Sequence, residues 1–137
     1  MRIGIDVVSV SRVADVFGRH DDFWERIFAP GEVAYCRGKR AWAQHLAARF
    51  AAKEATFKAM GCGIQPGICW TDVEVRREAS GEPRLCLSGR LLALAEGLGV
   101  REALVSLSHT DDWAVAQVIL LTGAEASPPG RQFEGEE

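Results

Sequence analysis

Three observations predict a single domain that mixes helices with strands joined as hairpins. Short segments alternate apolar and polar residues, one long segment carries helical spacing, and turn-forming residues separate the strand segments. The chain of 137 residues, 47% hydrophobic and 26% charged, has enough apolar material for one core.

The first strand is predicted over Arg2 to Val8, where Ile3, Ile5 and Val7 alternate with Gly4, Asp6 and Val8. That period buries the face carrying Ile3, Ile5 and Val7 and puts Asp6 on the other face. Ser11 is placed to cap a short helix with Val13, Val16 and Phe17, and Pro30-Gly31-Glu32 reads as the first turn of another. The principal helix is expected over His45 to Met60, where Leu46, Phe50 and Phe57 share one side and Gly61 and Gly63 stop it.

Alternation returns in Trp70 to Arg77, and Ser80-Gly81-Glu82-Pro83 turns the chain into a strand around Leu85 and Leu87. Helical spacing covers residues 90–98. Two more strands, Ala103 to Ser108 and Trp113 to Leu121, are joined by His109-Thr110-Asp111-Asp112, which places polar groups at a sheet end. The domain is therefore expected over residues 1–122. Residues 123–137 combine Ser-Pro-Pro-Gly with glutamates and are expected to be disordered.

The net charge of −3 belongs to that tail, because the body carries fifteen acidic and fifteen basic residues. Residues 1–60 hold ten Lys/Arg against seven Asp/Glu, and residues 61–122 hold five against eight. The N-terminal half is thus the better face for an acidic or phosphorylated partner, although ordinary surface charge explains the same count. No segment approaches the roughly 20 consecutive apolar residues of a membrane span, and the opening MRIGIDVVSV lacks the pattern of a secretory signal. A cytoplasmic protein with neither membrane nor nucleic-acid partners is expected. Cys36, Cys62, Cys69 and Cys86 show no C-x-x-C spacing, so buried reduced thiols are expected rather than a zinc cage or disulfides.

Candidate chemistry gathers on the first strand and the principal helix. An acid such as Asp6 in an apolar strand has to be paired, hydrogen-bonded or bound to a cation. Glu54 has two readings: a salt bridge to Lys58 one turn on, or a second hard oxygen ligand that with Asp6 suits Mg²⁺. Arg49, Lys53 and Lys58 precede a Gly61-x-Gly63 break, an arrangement that fits either phosphate binding or a solvated helix face. His109 is either a phosphate donor or a turn residue satisfied by Asp111 or Asp112. There is no G-x-S-x-G, no G-x-x-x-x-G-K-[ST] and no G-x-G-x-x-G, which argues against a serine hydrolase and the common nucleotide folds.

Taken in order, Gly4-Ile5-Asp6-Val7-Val8, Arg49-Phe50-Ala51-Ala52-Lys53-Glu54-Ala55 and Ser106-Leu107-Ser108-His109-Thr110 resemble the holo-acyl-carrier-protein synthase family of phosphopantetheinyl transferases. Flanking pieces extend the likeness: Glu25-Arg26-Ile27-Phe28, Trp70-Thr71-Asp72-Val73-Glu74-Val75 and Gly81-Glu82-Pro83. The resemblance runs from about residue 2 to residue 121. It implies an α+β fold, a long helix packed on a curved antiparallel sheet, in a homotrimer with active sites between subunits.

The implied activity moves 4'-phosphopantetheine from coenzyme A to a serine of apo-acyl carrier protein, with Mg²⁺ or Mn²⁺. The same resemblance makes Asp6 and Glu54 the metal carboxylates, and Asp6, Glu54 and Lys58 the catalytic set. Arg49, Lys53, Lys58, Gly61, Pro83, His109 and Thr110 become contacts of the coenzyme A cleft. Arg12 and Arg26 become docking residues for the acidic helix of the carrier. Cys62 departs from the small hydroxyl residue frequent there. Two rival readings stand beside this one: a non-catalytic module that binds coenzyme A or a carrier protein, and an unrelated metal-dependent phosphohydrolase.

Overall fold

The computed structural model describes residues 1–123, so the expected disordered tail lies, apart from Gly123, outside the described residues. Strand β1 (Arg2–Ser9) leads into three short helices, α1 (Val10–Arg19), α2 (Asp21–Ile27) and α3 (Pro30–Arg37), and then into the long α4 (Trp42–Met60). A 3₁₀ turn at Trp70–Asp72 precedes the hairpin β2 (Val73–Arg77) and β3 (Pro83–Leu87). Helix α5 (Gly89–Gly97) and the strands β4 (Val100–His109) and β5 (Trp113–Thr122) complete the domain.

The last two strands join β1 in an antiparallel sheet of order β1-β5-β4, and β2 pairs with β3 in a separate antiparallel ribbon. Helix α4 packs on β1 and β5, and one core holds its alanines against Val118, Leu120, Val73 and Leu85. A second core, around Phe17, Trp24, Phe28 and Leu46, lies under the N-terminal helices. The arrangement is α+β with antiparallel strands, as the resemblance implies. Among the described residues, no helix is long and apolar enough to cross a membrane.

Helix α4 begins three residues before the expected start and is buried around much of its circumference. Its apolar positions are mostly alanine: Ala47, Ala48, Ala51, Ala52, Ala55 and Ala59. Small side chains let strands approach the helix backbone on several sides, which is why a search for one apolar stripe misses most of its contacts. The closest approach is at Gly4, where an added Cβ would lie 2.0 Å from the Ala55 carbonyl oxygen and 2.8 Å from the Ala59 nitrogen. Gly4→Ala is expected to push β1 off α4 and cost about 1–3 kcal/mol or more, read as a lower urea midpoint.

That contact reverses one expectation. The face of β1 turned to α4 carries Gly4, Asp6 and Val8, while Ile3, Ile5 and Val7 are 57%, 55% and 56% exposed. Alternation shows that the two faces differ, but not which one the helix covers; here a glycine lets the helix in. Two smaller corrections follow. The N-cap of α1 is Ser9, whose Oγ accepts from the Arg12 N–H at 3.3 Å, rather than Ser11. All four cysteines are free, but only Cys36 and Cys86 are buried; Cys69 is exposed.

Candidate active site

Helix α4 carries chemistry on two sides. On the first, β1 presents Asp6 to the helix, and Lys58 Nζ donates to Asp6 Oδ1 at 2.8 Å and to the Ile5 carbonyl at 3.1 Å. Arg2 secures the same junction by donating to the Ala59 and Met60 carbonyls at 2.8 and 3.1 Å. Gly61 ends the helix in the left-handed region at φ 73°, and the Cys62 N–H closes the last turn on the Phe57 carbonyl.

Glu54, one turn before Lys58, stands close enough to Asp6 for the two acids to affect each other. Burial and then the Asp6 charge push the Glu54 pKa up, and Lys58 offsets them in part. The exposed Lys58 ammonium pairs with Asp6, and no hydrogen bond to the Glu54 carboxylate is present among the described residues. This donor set fits a hard divalent cation that keeps most of its waters. A cage of three or more His, Cys, Asp or Glu is absent among the described residues. The carboxylates open into a groove of ≈ 600 Å³ whose walls are apolar, from Val13, Phe17, Phe23, Ile27 and Phe50, with Arg12 at its edge. Arg26 is exposed beside that groove, 3.9 Å from Asp22 and with its guanidinium 5.9 Å from the centre of the Phe23 ring.

On the other side of the helix, a cleft of ≈ 330 Å³ is lined by Arg49, His109 and Pro83, together with Tyr35, His45, Arg77 and Gly81. Tyr35 organises it. The Arg49 guanidinium lies 4.2 Å from the centre of its ring, Lys39 Nζ 4.4 Å and the Arg77 guanidinium 5.2 Å. Arg49 is nearly fully buried, donates from Nη1 to the His45 carbonyl at 3.4 Å, and leaves its Nε without a partner among the described residues. Among the described residues, no carboxylate lines the cleft. A buried guanidinium with an unsatisfied donor, among other cations, is costly unless an anion completes it.

The expected site residues thus divide between the two sides, and the two cavities share no lining residue. Three residues take other places. Lys53 is fully buried, and its ammonium donates to Glu32 Oε1 at 2.8 Å, to the Trp70 carbonyl at 3.3 Å and to the Val73 carbonyl. With three acceptors it has no proton left for a phosphate, so the expected cleft role is replaced by a structural one. Thr110 follows His109 in the β4–β5 turn, and its hydroxyl accepts from the Asp112 and Trp113 N–H groups at 3.2 and 3.0 Å. Gly61 lies beside Arg2 at the C-terminal end of α4 and lines neither cavity.

Sequence reasoning singles out neither Glu32, Tyr35 and Arg77 nor His45 as functional residues. His45 and Arg49 are four apart on one helix and so face the same way, which was the available signal. Tyr35 and Arg77 come from other elements and left none.

A fold of this topology, with paired carboxylates and a cationic cleft, agrees with the sequence profile that matches residues 2–118: the chain belongs to the 4'-phosphopantetheinyl transferase superfamily. Within that superfamily it groups with enzymes named holo-[acyl-carrier-protein] synthase. It is 48% identical over 118 residues to the one from Koribacter versatilis, covering 85% of this chain and 94% of the relative. It is 49% identical over 119 residues to the one from Trichlorobacter lovleyi, covering 86% and 94%. Among solved structures, the holo-(acyl-carrier-protein) synthase of Bacillus anthracis in complex with CoA (3',5'-ADP) superposes with a TM-score of 0.73 at 34% identity, covering 89% of this chain and 96% of that one. The Helicobacter pylori holo-[acyl-carrier-protein] synthase in complex with coenzyme A gives 0.76 at 29% identity, covering 87% and 99%.

Proposed function

We propose that this chain transfers 4'-phosphopantetheine from coenzyme A to a serine hydroxyl of apo-acyl carrier protein. The products are holo-carrier protein and adenosine 3',5'-bisphosphate. The observation that carries this reading is the pairing, on one helix, of a carboxylate site with a carboxylate-free cationic cleft, in a chain whose relatives are named for this reaction. The complexes of two structural neighbours with coenzyme A support coenzyme A as the substrate.

The serine oxygen forms a bond to the β-phosphorus of the pyrophosphate, and the bond from that phosphorus to the bridging oxygen breaks. Asp6 and Glu54 would hold Mg²⁺, or Mn²⁺, whose charge offsets that of the pyrophosphate when bound. Glu54 accepts the serine proton, directly or through a water. Lys58 has used two of its three protons on Asp6 and Ile5 and offers the third to a phosphate oxygen. Arg49 and His109 bind phosphate at the nucleotide end, and Arg12 and Arg26 receive the acidic helix of the carrier.

Because the two cavities open on different sides of α4, each active site is completed by a neighbouring copy in a homotrimer. The support is the outer face of the sheet. Ile3, Ile5 and Val7, together with Trp113 at 54% and Leu104 at 44% exposure, form an apolar surface that a monomer would leave wet. Ile5→Lys is expected to convert trimers to monomers in size-exclusion chromatography with light scattering and to remove transfer activity. A monomeric wild-type chain would overturn the shared-site arrangement.

Chromatography of the nucleotide products tests the reaction class. Adenosine 3',5'-bisphosphate should appear only when coenzyme A, Mg²⁺ and an apo-carrier are all present. Release without a carrier identifies a phosphohydrolase instead, and binding without release identifies a non-catalytic module.

A further inference from the structure

His45 is the group in the cationic cleft whose charge the reaction leaves unassigned. Its ring lies edge-on to Tyr35 at 5.5 Å between centroids and 5.7 Å from the ring of His109, and it lines the cleft with both. The groups that face it are Tyr35 on α3, Lys39 just after α3, Arg49 on its own helix, Arg77 on β2 and His109 on β4. Asp111, in the turn beyond His109, accepts instead from Gln44 Nε2 at 3.0 Å. Among the described residues, nothing anionic lines the cleft.

We infer that His45 is a further binding residue of this cleft and that it takes up a proton when a phosphate dianion enters, so that occupancy is coupled to pH. The inference rests on reading this cleft as the coenzyme A site. In the empty cleft, four neighbouring cationic or imidazole groups repel a proton on His45. Burial first, and then Arg49, His109, Lys39 and Arg77, hold its pKa below that of an ordinary imidazole. A bound dianion reverses the sign of the local potential, so the pKa is higher in the complex than in the free protein. Linkage fixes the direction: affinity rises as pH falls through the complex's value and levels off below the free protein's value. The ring contacts with Tyr35 and His109 place the imidazole at the cleft wall, where its charge acts on the ligand directly.

The test is calorimetry of coenzyme A binding to the full chain in its solution assembly, near neutral pH, in two buffers of different ionisation enthalpy. Wild type should take up roughly half a proton or more beyond the His45→Phe variant, and the difference in affinity between the two should widen as pH falls. Phenylalanine keeps an aromatic ring against Tyr35 and His109, and both proteins titrate the same ligand, so the phosphate's own ionisation cancels. His45→Gln serves as a second variant if the first does not fold. Equal proton inventories with coenzyme A bound would overturn the inference while leaving the cleft assignment standing. Uptake that survives His45→Phe but is lost in His109→Gln puts the proton on the neighbouring ring and overturns it too. Failure of wild type to bind coenzyme A at any pH overturns the cleft assignment and the inference together.

Discussion

Exchange of Glu54 for Gln, or of Asp6 for Asn, is expected to lower phosphopantetheine transfer on the order of a thousandfold while the melting temperature changes little. Both substitutions keep the side-chain shape and remove the negative charge. Glu54 makes no hydrogen bond among the described residues, and the exposed Lys58 keeps the Ile5 carbonyl as a partner when Asp6 is lost. Neutralising either acid also relieves the crowding that raises the Glu54 pKa, so the folded chain has little to lose. The loss should therefore appear in kcat and in the Mg²⁺ concentration needed for half-maximal rate. A variant with near-normal turnover would remove that residue from the catalytic set.

The second large effect concerns folding rather than catalysis. Glu32→Ala is expected to destabilise the chain by about 3–5 kcal/mol, because it leaves the Lys53 ammonium buried with no opposite charge. Glu32 and Lys53 are both fully inaccessible, and each acceptor is used. Glu32 Oε1 accepts from Lys53 and, at 3.0 Å, from the Ala29 N–H; Oε2 accepts from the Val75 N–H at 3.0 Å. One carboxylate thereby ties the start of α3, the middle of α4 and strand β2. Burial pulls the Lys53 pKa down and Glu32 opposes it, so without Glu32 the lysine can lose its proton in the fold.

A fall in melting temperature of roughly 10 °C or more is the expected readout. Combining Glu32→Gln with Lys53→Met should cost less than the sum of the two single changes. Strict additivity in that cycle would show that the pair is not coupled.

Local chemistry made the strands, the hairpin at Ser80–Pro83 and the stop of α4 at Gly61 legible, because each depends on turn or cap residues close in sequence. Helix α2 was not predicted: it has seven residues, and its buried Trp24 draws its environment from Phe17 and Trp42. The covered face of β1 is the one opposite to that expected from alternation, since only the long-range contact of Gly4 with Ala55 decides it.

At the candidate site, motifs single out Asp6, Glu54, Arg49 and His109, which line the two cavities, and by the same means Lys53, which instead lies buried against Glu32. A lysine within a functional motif cannot be told from a structural one until its partner, twenty-one residues earlier, is located. Tyr35 and Arg77 join the cleft by tertiary packing alone, and their neighbours in sequence carry no hint of it.

The proposed reaction has one covalent outcome, the attachment of phosphopantetheine to a carrier protein. Intact-mass spectrometry of an apo-carrier incubated with this chain, coenzyme A and Mg²⁺ tests that outcome directly. The predicted result is a gain of one phosphopantetheine per carrier, abolished by EDTA, restored by added Mg²⁺, and absent when the carrier serine is replaced by alanine. An unchanged carrier mass across several acyl carrier proteins, with coenzyme A bound and metal present, would contradict it.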